Sequence, residues 1–139
     1  MRAAGIRIEE FDRVRFPWIN HLRHRNHHKI AVIDGEVAYT GGMNVADYYL
    51  RGKPRVGEWR DMHMKVHGPM VNGYERVFED MWWRTTKERL DSTRYLSSGH
   101  CDGHTRMAMV ERVPKKSGKA IRETYCIAID NAQHIIQII

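Results

Sequence analysis

The chain has 139 residues, of which 42% are hydrophobic and 29% charged, a composition that excludes disordered and coiled-coil proteins. No apolar run approaches the roughly 18 residues that span a bilayer, and the N-terminus lacks the apolar segment of a secretory signal. The length suffices for one domain with its own hydrophobic core. We therefore expect the chain as given to be a soluble globular domain.

The net charge of +6 favours anionic partners, although solubility alone also accounts for it. Such partners include nucleic acid, anionic lipid headgroups and phosphate-bearing substrates. Two cysteines, Cys101 and Cys126, lie far apart and match no metal or redox motif. We expect both thiols to be reduced, which is compatible with a cytosolic location.

The N-terminal half contains the clearest local pattern, a β-hairpin. Residues 5–11 alternate weakly and predict a short strand, and the basic stretch 16–26 predicts a loop. Residues 28–42 contain two β-rich runs on either side of an Asp-Gly pair, the strongest short hairpin signal. Asn44 then lies where its side chain could cap a short helix through the following VADYYL segment.

The remaining chain combines one long helix with shorter segments. Residues 59–68 alternate with a period of two and predict a strand. After Pro69, apolar residues recur at helical spacing and predict an amphipathic helix over residues 69–90. The patterns that follow predict a polar loop, a strand, a basic turn, a helix and a final apolar strand, at residues 91–104, 105–113, 114–119, 120–134 and 135–139.

A two-residue turn at the Asp-Gly pair would determine which hairpin residues face each other. It would place His27 opposite Gly42 and Lys29 opposite Thr40. Directly opposed residues share one face of a sheet, and side chains along a strand alternate between faces. The pattern therefore predicts one face that carries His27, Lys29, Thr40, Gly42 and Asn44.

This face combines side chains suited to phosphoryl chemistry. His27 can attack phosphorus or transfer a proton near neutral pH, Lys29 can neutralise a phosphate oxygen, and Asn44 can donate a directed hydrogen bond. Asp34 has the other parity and is expected to shape the turn. We expect no metal or other cofactor, because the face has no carboxylate cluster for magnesium. Zinc is disfavoured because His24 and His27 could chelate together only on a helix, and this region is predicted to be a loop that enters a strand.

Residues 27–44 match the pattern HxKxxxxDxxxxxxGGxN, which resembles the signature of the phospholipase D superfamily. The flanking segments WRDMHMKVHGPMV, FEDMWW and TYCIAIDNAQHIIQII resemble bacterial cardiolipin synthases around and after their first motif. The similarity covers most of the chain and is weakest over residues 91–118. It implies an α/β fold, a phospholipase-D-like half-domain with a mixed β-sheet flanked by helices.

The resemblance also implies a two-step mechanism. In that family the histidine of one motif attacks a phosphodiester and forms a phosphohistidine, and the histidine of a second motif protonates the leaving alcohol. Donor and acceptor are both phosphatidylglycerol. The catalytic motif would then use His27 as the nucleophile and Asp34 as a structural support. The residues implied to bind phosphate oxygens are Lys29, Gly41, Gly42 and Asn44.

A carboxylate usually orients a catalytic histidine through its other ring nitrogen. Asp61 in the WRD segment is our candidate for this role, because the strand that follows is expected to lie beside the hairpin. Glu58 is the alternative. In the absence of this role, Asp61 would be an ordinary residue at a strand end.

The chain departs from the family by carrying one motif where the superfamily uses two. His63 and Lys65 also form an HxK, but no aspartate follows at the required spacing, so we interpret them as ordinary strand residues. We expect residues 1–139 to be a single phospholipase-D-like domain from a longer two-motif enzyme, with little activity by itself. The longer protein would carry the second motif and N-terminal membrane helices, and would lie in the bacterial inner membrane.

Other interpretations stay open. A phosphodiesterase or nuclease of the superfamily would use the same trio, with two copies paired across a two-fold axis. The flanking segments disfavour a nucleic-acid partner and favour an anionic phospholipid. A non-catalytic structural half is a third alternative, although no residue of the motif is missing. The basic segments RGKPR and PKKSGK could contact anionic headgroups, or could be ordinary exposed loops.

Overall fold

The computed structural model describes five stretches of the chain: residues 1–13, 26–55, 57–96, 103–111 and 118–138. They belong to two compact units, Met1–His104 and Thr105–Ile139, which are described separately below. Most of the predicted loop at 16–26 and of the basic turn at 114–119 lies outside the described residues. No helix of the described part has the length and apolar character required to cross a bilayer.

The first unit is built on a three-stranded antiparallel sheet in the order β1-β2-β3. The strands are β1 at Ile30–Ile33, β2 at Val37–Gly41 and β3 at His63–His67. The predicted hairpin and the strand after it are thus present, although β3 is shorter than the predicted range of 59–68. The predicted α/β class is confirmed, and the described strands pair only in antiparallel fashion.

The described residues contain three α-helices. Helices α1 at Tyr48–Arg51 and α2 at Val71–Thr86 belong to the first unit, and α3 at Ala120–Asp130 belongs to the second. Helix α2 is shorter than the predicted range of 69–90. It ends at Lys87, which adopts a left-handed conformation with φ 64° while its N–H donates to the Trp83 carbonyl at 2.9 Å.

The second unit differs from the sequence-based expectation in its strands. Helix α3 is confirmed but ends before the predicted residue 134. The predicted strand at 105–113 has no strand in its described part, and the predicted final strand has none over residues 135–138. Apolar side chains alone do not make a strand, because a strand also requires a partner for its backbone groups.

The predicted strand at 5–11 is also wrong, because this segment follows a different set of contacts. The Arg2 guanidinium donates to the Ile8 carbonyl at 2.8 Å, and Arg7 forms a two-pronged pair with Glu88 at 3.1 and 2.5 Å. The Arg7 guanidinium also lies 4.7 Å from the centre of the Trp82 ring. Side-chain contacts to the end of α2, and not a β ladder, therefore hold the N-terminal segment.

The β1–β2 turn explains why the predicted register is wrong. Asp34 and Gly35 have φ values of 54° and 68°, and the Glu36 N–H donates to the Ile33 carbonyl at 3.0 Å, as expected for the predicted turn. Glu36, however, is an additional residue before β2, so Ile33 pairs with Val37 instead. This one-residue shift places every β2 side chain on the face opposite to the predicted one.

The core of the first unit lies where α2 covers one face of the sheet. Ala38 and Val66 are paired across β2 and β3, and Val71 at the start of α2 packs against both. The partly buried residues around them are Val32, Met70 and Tyr74. The opposite face of the strands carries the exposed His63, Lys65 and His67. The face opposite to α2 is therefore polar along β3, and it also carries Ile33 of β1 and Val37 of β2.

Two carboxylates of this unit have pKa shifts of opposite sign. Burial, and then repulsion by Glu79 one helical turn away, raise the pKa of Glu75. The hydrogen bond and charge of Arg7 lower the pKa of Glu88. A carboxyl group whose pKa is raised by folding destabilises the fold at pH values above its ordinary pKa. A carboxyl group whose pKa is lowered by folding stabilises the fold in that pH range, and this stabilisation is lost as the pH falls through the folded pKa.

We therefore expect Glu75→Gln to stabilise the protein at pH 7, by about 0.2–0.5 kcal/mol on the scale of like-charge pairs in helices. The gain should shrink toward pH 4, where Glu75 is increasingly protonated. Urea unfolding at the two pH values measures the difference. Glu88→Gln is the matched control and should destabilise at pH 7. Equal effects of the two variants would contradict the assignment.

Candidate functional site

His27 and Lys29 lie in the extended segment immediately before β1. The His27 side chain is exposed, and the Lys29 Nζ donates to the His27 carbonyl at 2.9 Å. The Asn26 side-chain oxygen accepts a hydrogen bond from the His28 N–H at 2.9 Å and fixes the backbone beside them. The Lys29 ammonium is thus held against the His27 backbone at the entrance of the sheet.

The observed register changes which residues share a face with Lys29. Ile30 pairs with Thr40 at the start of β1, so extending the same register by one residue would align Lys29 with Gly41 and not with Thr40. Gly41 pairs in turn with His63 of β3. The predicted single face carrying His27, Lys29, Thr40, Gly42 and Asn44 is therefore wrong, because Glu36 shifts the parity of β2. Gly41 of β2 lies between Lys29 and His63 in this register, and as a glycine it has no side chain.

Asn44 follows β2 and is held by a tyrosine. Its side-chain N–H donates to the Tyr49 hydroxyl at 3.1 Å, and that hydroxyl is 3.3 Å from the Gly42 carbonyl, to which it donates. The predicted capping role of Asn44 is wrong, because α1 begins after Asp47 and no side chain caps it. Tyr49 thus links the asparagine of the motif to one of its two glycines.

Asp61 lies directly against Gly42. A Cβ built on Gly42 would come within 2.1 Å of the Asp61 Oδ1, so only glycine leaves room for the carboxylate. The same oxygen accepts a hydrogen bond from the Met62 N–H at 2.7 Å, and the Gly42 N–H donates to the Met62 carbonyl at 3.0 Å. The hydrogen bonds of Asp61 within the described residues do not include one to His27, so its orienting role stays a prediction.

Asp34 occupies the turn, as its parity in the sequence predicts, at a distance along β1 from His27 and Lys29. The neighbouring Gly35 is buried, and a Cβ there would collide with the Tyr95 carbonyl. Asp34 therefore forms part of the scaffold. Glu58, the alternative to Asp61, is exposed.

An aromatic cluster beside Asn44 was not predicted from the sequence. Tyr48 and Tyr49 stack with ring centres 4.5 Å apart, and Trp59 packs edge-on against them at 5.4 and 5.8 Å. The Lys53 ammonium lies 4.3 Å from the centre of the Tyr48 ring. The available signal was a Tyr-Tyr pair and a tryptophan in the segment between the motif and β3.

The cluster also affects the chemistry of its phenols. Interaction with the Tyr49 hydroxyl, supplemented by the negative charge of Asp61, raises the pKa of Tyr48. The Tyr48 phenol is therefore neutral at physiological pH. The described residues thus include an exposed imidazole at His27, an ammonium at Lys29 and an amide at Asn44, which are groups of the kind that bind phosphate.

Comparisons with known proteins relate this chain to bacterial cardiolipin synthases. A cardiolipin synthase of Geobacillus thermodenitrificans is 34% identical over 139 residues, which cover 98% of this chain and 28% of that protein. One from Listeria monocytogenes is 36% identical over 132 residues, or 93% of this chain and 27% of that protein. The chain thus spans little more than a quarter of the length of these relatives. No family model and no solved structure matches.

We expect Tyr49→Phe to release the Asn44 side chain, because the variant removes the acceptor of its amide hydrogen bond while it keeps the stacked ring. The two Asn44 side-chain amide protons should shift in a ¹H–¹⁵N spectrum and exchange faster with water. Tyr39→Phe, which removes a hydroxyl from β2, is the control and should leave them unchanged. Identical Asn44 signals in wild type and Tyr49→Phe would contradict the contact.

Gly42→Ala should displace the Asp61 carboxylate and break its hydrogen bond to Met62. We expect a loss of about 1 kcal/mol of unfolding free energy, the net value of one such bond, and a shift of the Met62 amide signal. Gly103→Ala is the matched control, since a Cβ at Gly103 meets no atom within 4 Å. A Gly42→Ala protein as stable as the control, with an unchanged Met62 signal, would show that Asp61 does not lie against Gly42.

Proposed function

We propose, from the homology of this chain to bacterial cardiolipin synthases, that it forms the first catalytic half of a phosphatidyltransferase of that type. The complete HxKxxxxD and GGxN pattern supports the proposal, because all six of its positions lie within the segment shared with the relatives. The phospholipase-D-like fold belongs to the same proposal. The substrate would be phosphatidylglycerol, both as donor and as acceptor.

The proposed reaction has two steps. A nitrogen of His27 attacks the phosphorus of one phosphatidylglycerol, a phosphorus–nitrogen bond forms, and the bond to the glycerol oxygen breaks. The departing oxygen takes a proton from the histidine of a second motif, so glycerol leaves. The same histidine then removes the proton of a terminal hydroxyl of a second phosphatidylglycerol. That oxygen attacks phosphorus, which restores His27 and releases cardiolipin.

The remaining motif residues act on charge and position. Lys29 neutralises a phosphate oxygen as a point charge, and Asn44, held by Tyr49, donates a hydrogen bond to another. Gly41 and Gly42 complete the motif, and the lack of a side chain at Gly42 leaves room for the Asp61 carboxylate. Asp61 would orient a catalytic imidazole. None of these roles uses a metal ion.

The second histidine would come from the other half of a two-motif protein. The relatives extend far beyond the segment that they share with this chain, which supports this arrangement. The 139-residue chain would then have little activity by itself. The alternative source is a second copy of the chain.

The test uses the full-length protein that contains this chain, with radiolabelled phosphatidylglycerol. We expect His27→Ala to reduce the formation of cardiolipin and glycerol by at least about a thousandfold, since it removes the nucleophile. His67→Ala, on the exposed face of β3, is the matched control and should keep the wild-type rate. An acid-labile, base-stable label on His27 would identify the phosphohistidine.

Two results would overturn the proposal. The first is an unchanged rate in His27→Ala, which would make this a structural half. The second is cleavage of plasmid DNA that depends on His27, without lipid transfer, which would make the protein a nuclease. Turnover of phosphatidylglycerol by the isolated chain would contradict the requirement for a second motif in the same protein and would favour a second copy of the chain.

A further inference from the structure

The described residues 43–55 and 57–62 form a lobe that leaves the sheet and returns to it at one point. Its two ends meet where the Gly42 N–H donates to the Met62 carbonyl and where Asp61 lies against Gly42. At its tip, Lys53 and Gly57 exchange two backbone hydrogen bonds of 3.0 and 2.9 Å. The lobe is therefore a closed loop with a narrow base, and its base contains a glycine of the proposed phosphate site.

The described part of the lobe exposes large apolar side chains at several positions. Val45 and Leu50 are almost fully exposed, at 107% and 84%, and Met62 and Trp59 are exposed at 63% and 39%. Single exposed apolar residues are ordinary, but four within one short segment form a feature that suits burial against another surface.

The same lobe carries exposed cations. Arg51, Lys53, Arg55 and Arg60 all lie at its surface. Its acids are fewer, and one of them, Asp61, is turned back onto Gly42 at the base. Three of the cations fall within the five residues 51–55, which contain no acid. The tip is therefore positively charged and complements an anionic surface.

The aromatic cluster holds these groups in place before any partner arrives. Tyr48, Tyr49 and Trp59 pack against one another, and the Lys53 ammonium lies over both Tyr48 and Trp59, at 4.3 and 5.5 Å from the ring centres. Tyrosine and tryptophan with one apolar and one polar side are typical of the boundary between lipid and water. A preorganised surface loses less entropy on binding.

We propose that this lobe docks on the surface of an anionic phospholipid bilayer, with Val45 and Leu50 entering the headgroup region and the arginines contacting lipid phosphates. Apolar side chains, aromatic rings and cations together are what an interfacial lipid contact requires. The inference deepens the proposed function and rests on it, because the lobe would bring a lipid phosphate to Gly42 and Asn44. A protein partner that covered the same apolar and aromatic groups would give no preference for anionic over neutral lipid vesicles, so the vesicle experiment distinguishes the two.

Sedimentation of the 139-residue chain with lipid vesicles tests the proposal. We expect tighter binding to vesicles that contain phosphatidylglycerol than to pure phosphatidylcholine, with an affinity that falls as salt is added. Arg51→Gln and Arg55→Gln should each weaken binding about fivefold. Leu50→Ser should weaken it about tenfold or more, since it removes a side chain that would be buried in the interface.

Matched controls come from α3, in the second unit. Arg122→Gln removes the same charge, and Ile127→Ser removes a similar side chain that is 63% exposed. Both should bind vesicles within twofold of the wild type. The proposal is overturned if the chain binds no vesicle, if both lipids bind it equally, or if the α3 variants lose as much as the lobe variants.

Two further measurements distinguish vesicle binding by the lobe from catalysis and from binding of a soluble phosphate. Millimolar glycerol 3-phosphate should not release the chain from vesicles, and release would show that a soluble phosphate site, not a lipid surface, holds it. His27→Ala should bind vesicles normally although it cannot transfer a phosphatidyl group. Vesicle binding that fails while transfer on detergent-dispersed lipid persists would overturn the docking surface alone.

Discussion

Glu36, the extra residue between the Asp34-Gly35 turn and β2, determines which face of the sheet every following β2 side chain occupies. Its presence pairs Ile33 with Val37 and directs Ala38, with the Val66 paired to it, toward α2. A two-residue connection would have turned the same residues away from the helix. The core of the first unit is small, and the burial of Ala38, Val66 and Val71 requires this parity.

The sheet then places the candidate site at its edge and not on its packed face. Lys29 precedes β1, Asn44 follows β2, and the two are connected through strands whose position α2 fixes. Gly42 lies at the centre of the arrangement, because the Asp61 carboxylate, the Met62 carbonyl and the Tyr49 hydroxyl all contact it. A Cβ at Gly42 would collide with the Asp61 carboxylate, which gives a physical reason for glycine at this position of the motif.

The sequence predicted the elements with strong local signals and missed those that depend on distant contacts. The Asp-Gly turn, the long helix after Pro69 and α3 follow from backbone preference and periodicity, and all are present. Register could not be predicted, because nothing local distinguishes Glu36 as an added turn residue from the first residue of β2. The segment at 5–11 could not be predicted either, since its course depends on Arg7 reaching Glu88. For the site, the motif identified the residue types, but the role of Tyr49 required the folded chain.

The proposed mechanism restricts what this segment can do by itself, because it assigns one imidazole of the motif, that of His27, to the attack on phosphorus. Once a nitrogen of His27 is bonded to phosphorus, that ring can no longer deliver the proton that the departing alkoxide needs, so the proton must come from another group. Lys29 is occupied with phosphate charge in the proposed mechanism, and Asp61 is held by Met62. In the proposed mechanism, turnover therefore depends on a second half. The proposed contact with lipid does not, because the lobe and the residues proposed to bind phosphate belong to the same segment. Under these two proposals binding and chemistry are separable, and lipid docking precedes the meeting of the two halves.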